Sequence, residues 1–281
     1  FLKAGIERAT KINTVSLTYR DEVLSQEYGF TLDGALNHRK QDFVGILNGI
    51  DDEVFNPKSD HLIEFNFDKR NYYNMKQKNK EHILNHFNLD IDLSEPLITY
   101  VGRLATQKGI NLMTQVLEEV VEFSNARFIL MGSGNDSYED FFRYLSYKYP
   151  KRVSNYIGFN EEIAHKLYAS SDLFMMPSRF EPCGLGQMIA MRYGTLPVVR
   201  ETGGLKDTVV PYNKFTDEGT GFTFKNYEGY DLKEKLFEGI QLYKDKLSIF
   251  KKLMKQAMDK DYSLNQMALS YENLYQIILG V

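Results

Sequence analysis

DLFMMPSRFEPCGLGQ (172–187) decides the fold. Its first half is a short apolar run without alternation, the pattern of a strand buried on both faces. Its second half breaks into a polar loop carrying Glu181 and Pro182, then enters a helix candidate at 184–193 through glycine. A strand that feeds a helix through a short loop is the repeating unit of a parallel α/β sheet. Outward from it the unit recurs. LITYVG (97–102), RFILMG (127–132), VSNYIG (153–158) and LPVVRE (196–201) read as strands, with GFTF (221–224) strand-like after a glycine-bearing turn. Helical segments at 109–122, 137–149 and 160–170 separate them. The expected class is α/β, a parallel sheet with helices on both faces.

The flanks are read more coarsely. After 224 the chain reads as helical to its end, from about Asp231. Residues 1–50 hold a helix, a short strand NTVS (13–16), a helix near 18–27 and a strand FVGILN (43–48). Turn residues in NGIDDEVFNP (48–57) suggest a linker, and 68–88, rich in Lys, Asn and Tyr, reads as an exposed helix. The start, FLKAGIERAT, has no initiator Met and looks like the middle of an amphipathic helix, so the chain reads as part of something longer.

With 281 residues, a core of any ordinary size is affordable in length. A net charge of −4 argues against a nucleic-acid surface. No apolar run approaches the ~18–20 residues of a membrane helix. Cys183 is the one cysteine, so no intrachain disulfide forms, which fits a reducing cytoplasm.

Three junctions carry chemistry. At 178–187, backbone N–H groups at a helix start form an anion site, and Gly184 and Gly186 leave the backbone open to a ligand. Glu181 there suits a neutral, hydroxyl-rich group, since a carboxylate accepts two hydroxyl hydrogen bonds. Taken alone, the stretch is explained better by a plain turn with a capping acid. VGRLATQKG (101–109) sets Arg103 and Lys108 across a turn at another strand end, where both cations can meet a diphosphate, although two solvated surface cations explain the motif alone equally well. RETGGLKDTVV (200–210) repeats the design with Gly203 and Gly204, which a tight turn would also explain. MGSGND (131–136) is half of a dinucleotide fingerprint, with Ser137 where the last glycine belongs. Asp90 and Asp92 in a polar turn, His82 and His86 without the glutamate of a zinc protease, His165 and Cys183 read as solvated or packing residues, and no metal site is expected.

All three junctions fall at one end of one sheet, and together they describe a site for a ligand bearing both phosphate and sugar. GRLATQKG, SRFEPCGL and RETGGLKDTV, with LNGIDDEVFNP upstream, closely resemble the bacterial glycogen/starch synthases that use ADP-glucose, over essentially the whole chain. The resemblance implies the second, Rossmann-like domain of a two-domain GT-B glycosyltransferase: 1–50 a βα remnant of the first domain, 51–60 a linker, 61–281 the nucleotide-sugar-binding domain with a C-terminal helical segment. It implies that Arg103 and Lys108 hold the ADP phosphates and that Glu181 binds the glucose hydroxyls, these three being the catalytic set. Cys183, Gly184, Leu185 and Gly186, with Gly203 and Gly204, would line donor and phosphate, and Phe159 would stack on adenine. The implied partners are ADP-glucose or ADP and an α-1,4-glucan acceptor held mainly by the first domain. No cofactor, metal, nucleic acid or membrane is implied. Two features depart from the family: Gly186 stands where a Thr is usual, and the Lys-x-Gly-Gly-Leu loop has no match, so the chain alone is expected to be inactive. Rival readings are a transferase for another nucleotide sugar, a non-catalytic nucleotide-binding module, and a nicotinamide oxidoreductase.

Overall fold

In a computed structural model, which describes residues 1–280, the chain forms two sheets of unequal size. The smaller lies at the N-terminus. Helix α1 (Leu2–Arg8), strand β1 (Ile12–Thr14), helices α2 (Leu17–Glu22) and α3 (Asp33–His38), and strand β2 (Phe43–Gly45) enclose a small core of Ile6, Val23, Leu36 and Phe43. The two strands pair in parallel.

The larger sheet is built from β3 (Leu97–Val101), β4 (Arg127–Gly132), β5 (Val153–Ile157), β6 (Leu173–Met176), β7 (Leu196–Arg200) and β8 (Phe222–Phe224). Its order is β5-β4-β3-β6-β7-β8, with every pairing parallel. Chain order therefore runs outward from β3 in one direction, then reverses at β6, as in a doubly wound Rossmann sheet. The helices between the strands are α5 (Ile110–Phe123), α6 (Asp136–Lys148), α7 (Glu161–Ser170), α8 (Gly186–Arg192) and α9 (Gly203–Thr208). All residues of β3, β4, β6, β7 and β8 are buried except Val101 and Arg200. That burial is why these strands are apolar without alternation. Helices α10 (Gly229–Asp245), α11 (Leu247–Met258) and α12 (Leu264–Leu279) complete the chain.

The loop over 51–60 is fastened rather than free. Asp60 is buried, bonded through Oδ2 to His165 Nδ1 at 2.8 Å and accepting from the Tyr193 hydroxyl. Phe55 stacks on the His165 ring at 4.8 Å, so this histidine is a packing residue.

One expectation is overturned. The segment at 68–88 does form a helix, α4 (Tyr72–His86), but Lys76, Asn79, Lys80, Ile83 and Leu84 on it are buried. Composition misled because two lysines point inward, where buried acceptors hold them. Lys80 Nζ donates to Asp172 Oδ2 at 2.7 Å, the Glu95 carbonyl at 2.6 Å and the Tyr243 hydroxyl at 3.1 Å. Lys76 Nζ meets the Ala169 carbonyl at 3.0 Å and Thr195 Oγ1 at 2.8 Å, capping the C-terminal end of α7. Among the described residues no carboxylate touches it, and burial pushes its amine down to about 7 from the ordinary 10.5. An amine neutral in the fold and charged in the unfolded chain leaves the unfolded state binding more protons between those values. Stability from this group therefore rises with pH from 7 towards 10.5, by at most about 1.4 kcal/mol per pH unit. Urea unfolding at pH 7, 8 and 9 should show that rise, and Lys76→Met should flatten it.

Candidate functional site

In an open α/β sheet, ligands bind beyond the carboxyl ends of the strands where the order reverses. Here that point lies between β3 and β6, paired through Ile98 with Leu173 and Thr99 with Phe174. The loop after β3 carries Arg103 and Lys108, and the loop after β6 carries Glu181.

These loops are joined to one another. Arg179 N donates to the Gln107 carbonyl at 2.8 Å, and Arg200 Nη1 to the Arg179 carbonyl at 2.6 Å. Gly109, with φ of +76°, closes the first loop, and a Cβ there would collide with the Pro177 carbonyl oxygen. Only glycine permits both the left-handed turn and that approach. The buried Tyr100 hydroxyl donates to the Arg103 carbonyl at 2.7 Å, fixing the base of the loop while the Arg103 side chain is exposed.

Lys108 and Glu181 form one unit. Lys108 Nζ lies 2.6 Å from Glu181 Oε2, with the two side chains 20% and 7% exposed. Ser178 Oγ donates to the same oxygen at 3.0 Å. The carboxylate is thus held by two donors in a mostly buried place, a preorganised charge pair beyond the carboxyl ends of the two central strands. Sequence reasoning named both charged residues but missed their pairing and missed Ser178. It also missed Gln187, fully buried, whose Nε2 donates to the Cys183 and Gly184 carbonyls at 3.1 and 3.0 Å and so staples the loop from beneath. Its place one turn after Cys183 in a glycine-rich helix start was the available signal.

Helix α8 begins at Gly186 without a side-chain cap, leaving its first amides open beside Gly184 and Leu185. Cys183 is buried, and desolvation pushes its thiol up to about 11, so it is a protonated packing residue. Gly186 has a structural counterpart: a Cβ there would stand 3.1 Å from Phe174 Cε1 and 3.3 Å from Met176 Sδ. A threonine at this position therefore requires those side chains to shift. Phe159, 74% exposed, follows the positive-φ Gly158 at the end of β5, its ring open to solvent.

Gly203 and Gly204 make close contacts within the protein. The Gly203 amide donates to Glu22 Oε1 at 3.0 Å, and the Gly204 amide to the Glu181 and Pro182 carbonyls at 3.1 and 3.2 Å. Both amides are hydrogen-bonded within the protein. What the glycines supply is proximity, since a Cβ on Gly203 would collide with the Glu181 carbonyl oxygen. The half-fingerprint at 131–136 has a similar explanation. Cβ atoms on Gly132 and Gly134 would strike the Gly102 and Leu104 carbonyls, and the Gly134 amide already bonds Glu139 Oε1 at 3.0 Å. Among the described residues, no group of three or more His, Cys, Asp or Glu is placed to hold a metal ion, and no helix is long and apolar enough to cross a membrane.

The model of glycosyl transferases group 1 matches residues 82–256, and that of the starch synthase catalytic domain matches residues 1–38. The chain is 65% identical to a glycogen synthase of Acholeplasma laidlawii over its whole length, and 46% identical to one of Clostridium kluyveri over 99% of it. It spans 59% and 58% of the length of these two relatives, in their C-terminal portion. Among solved structures, the catalytic domain of starch synthase IV from Arabidopsis thaliana, bound to ADP and acarbose, superposes with a TM-score of 0.91 at 32% identity. That match covers all of this chain and 58% of the other. With its doubly wound sheet, its paired Lys108 and Glu181 at the switch point, and a family model matched over more than half its length, the chain belongs to the group 1 glycosyl transferases.

Proposed function

We infer that this chain is the donor-binding half of a retaining transferase that moves glucose from ADP-glucose to the non-reducing end of an α-1,4-glucan. The observation that carries the reading is the Lys108–Glu181 pair at the switch point, with Arg103 on the same loop as Lys108, in a chain so similar to glycogen synthases. The ADP held by the Arabidopsis relative supports an adenine nucleotide as the donor's carrier. Arg103, exposed beside the loop, supplies a flat fork to phosphate oxygens. Lys108 supplies a point charge where the leaving diphosphate becomes more negative.

Charge of opposite sign develops at two places as the glycosidic bond breaks: negative on the diphosphate, positive on the sugar ring. Lys108 answers the first and Glu181 the second, and their 2.6 Å contact holds both in place before reaction. A diphosphate whose charge is met leaves readily, so catalysis rests on positioning and electrostatics. The first amides of α8 and the backbone of 183–185 would face the donor phosphates, and Phe159 the adenine. Residues 1–50 would be the βα end of a first domain that supplies most of the acceptor groove, and the reaction would take place in the cytoplasm.

Residues 1–281 alone are expected to bind ADP weakly and to transfer little glucose, because one domain neither excludes water nor holds the acceptor. Grafting the preceding segment of the Acholeplasma relative onto Phe1 should restore transfer of labelled glucose to glycogen. Synthesis by the ungrafted chain at the rate of the graft would contradict the reading.

A further inference from the structure

Helices α2 and α9 lie against each other and cap one another reciprocally. Glu22, at the end of α2, places Oε1 on the start of α9, 3.0 Å from Gly203 N and 2.9 Å from Thr202 Oγ1. Asp207, near the end of α9, places its carboxylate on the start of α2, 3.0 Å from Thr18 N and 2.6 Å from Thr18 Oγ1. Each carboxylate sits at the positive end of the partner helix. The partners are 181 and 189 residues apart in sequence, and they join the N-terminal unit to the loop after β7.

That loop leans on the site. The amide next to the one held by Glu22 donates to the Glu181 carbonyl, and Gly203 packs so close to that carbonyl that no side chain fits between them. A line of contacts therefore runs from Glu22 through Gly203 and Gly204 to the backbone of Glu181, whose side chain holds Lys108. Glu22 Oε2 is buried without a hydrogen-bond partner among the described residues, a desolvation that costs stability. The contact is thus not one that maximises stability.

We propose that Glu22 is a positioning residue for the donor site, acting through Gly203 and Gly204 to hold the backbone of Glu181–Gly184 in its binding geometry, with Asp207 as the counter-latch. The proposal rests on the donor-binding reading above. It predicts an order of variants that a charge effect alone would reverse. Glu22→Ala removes the acceptor and frees the loop, although it also removes a negative charge near the phosphates. Glu22→Gln removes the same charge and keeps an acceptor oxygen.

The test is calorimetric titration of the 281-residue chain with ADP, beside amide hydrogen exchange at Gly203 and Gly204. Glu22→Ala should weaken ADP binding by about fivefold or more and speed exchange at both amides, with β3 and β4 still protected. Glu22→Gln should bind ADP as well as the unaltered chain or better. Unchanged or tighter ADP binding in Glu22→Ala, while Arg103→Ala still loses it, overturns the proposal. If the unaltered chain does not bind ADP, the donor-binding reading fails and exchange decides the latch. Amides released in Glu22→Ala and protected in Glu22→Gln then support it, and equal protection in all three chains overturns it.

Discussion

Glu181→Ala, made in the chain joined to the preceding segment of the Acholeplasma relative, should lower glucosyl transfer by about two to three orders of magnitude. The carboxylate is only 7% exposed and accepts from Lys108 and Ser178 on one oxygen, so its position is set before substrate arrives. Its removal takes away the negative charge that, on the proposed reading, would face the sugar, and it breaks the contact with Lys108. Glu181→Gln retains hydroxyl acceptance and loses the charge, so it should fall between the two. The loss should sit in kcat, whereas Arg103→Ala should act mainly on KM for the donor, because on the proposed reading Arg103 would hold phosphate in ground and transition states alike. A Glu181→Ala enzyme within tenfold of the unaltered one would remove this carboxylate from the chemistry.

Lys80→Ala should destabilise the fold by about 3–5 kcal/mol, the range seen when one member of a buried ion pair is removed. Lys80 and Asp172 are 0% and 1% exposed. Asp172 Oδ2 also accepts from Leu97 N at 2.8 Å, which ties the pair to the first residue of β3, and Oδ1 has no hydrogen-bond partner among the described residues. Without Lys80 that carboxylate stays buried and uncompensated. Lys80→Met with Asp172→Leu should recover much of the loss, since apolar replacement of both charges removes the desolvation. Urea denaturation of the three chains measures this. Near-equal stability of Lys80→Ala and the unaltered chain would mean that Asp172 reaches water or takes a proton.

The sheet was legible because five of its six strands are buried on both faces, and short strand-like runs between helical segments admit few other arrangements. Arg103, Lys108 and Glu181 were legible as loop residues at strand ends. What could not be read was contact across long separations. The 73 residues between Lys108 and Glu181 carry no signal that the two touch, and nothing near Gly203 announces that Glu22 occupies its amide. Helix α3 was missed because Gly34 and Asn37 are poor helix formers and Leu36 is its one buried residue. The helix at 18–27 and the strand at 43–48 proved shorter, Leu17–Glu22 and Phe43–Gly45. On α4, lysines conceal a buried face, because their partners are carbonyls and an aspartate from distant parts of the chain.

The most direct measurement is calorimetric titration of the 281-residue chain with ADP and with UDP, repeated on Arg103→Ala. Weak but measurable ADP binding that exceeds UDP binding is expected, with a loss of about tenfold or more in Arg103→Ala as a charge-assisted phosphate contact disappears. Absence of ADP binding, or ADP binding indifferent to Arg103, would contradict the donor-binding reading.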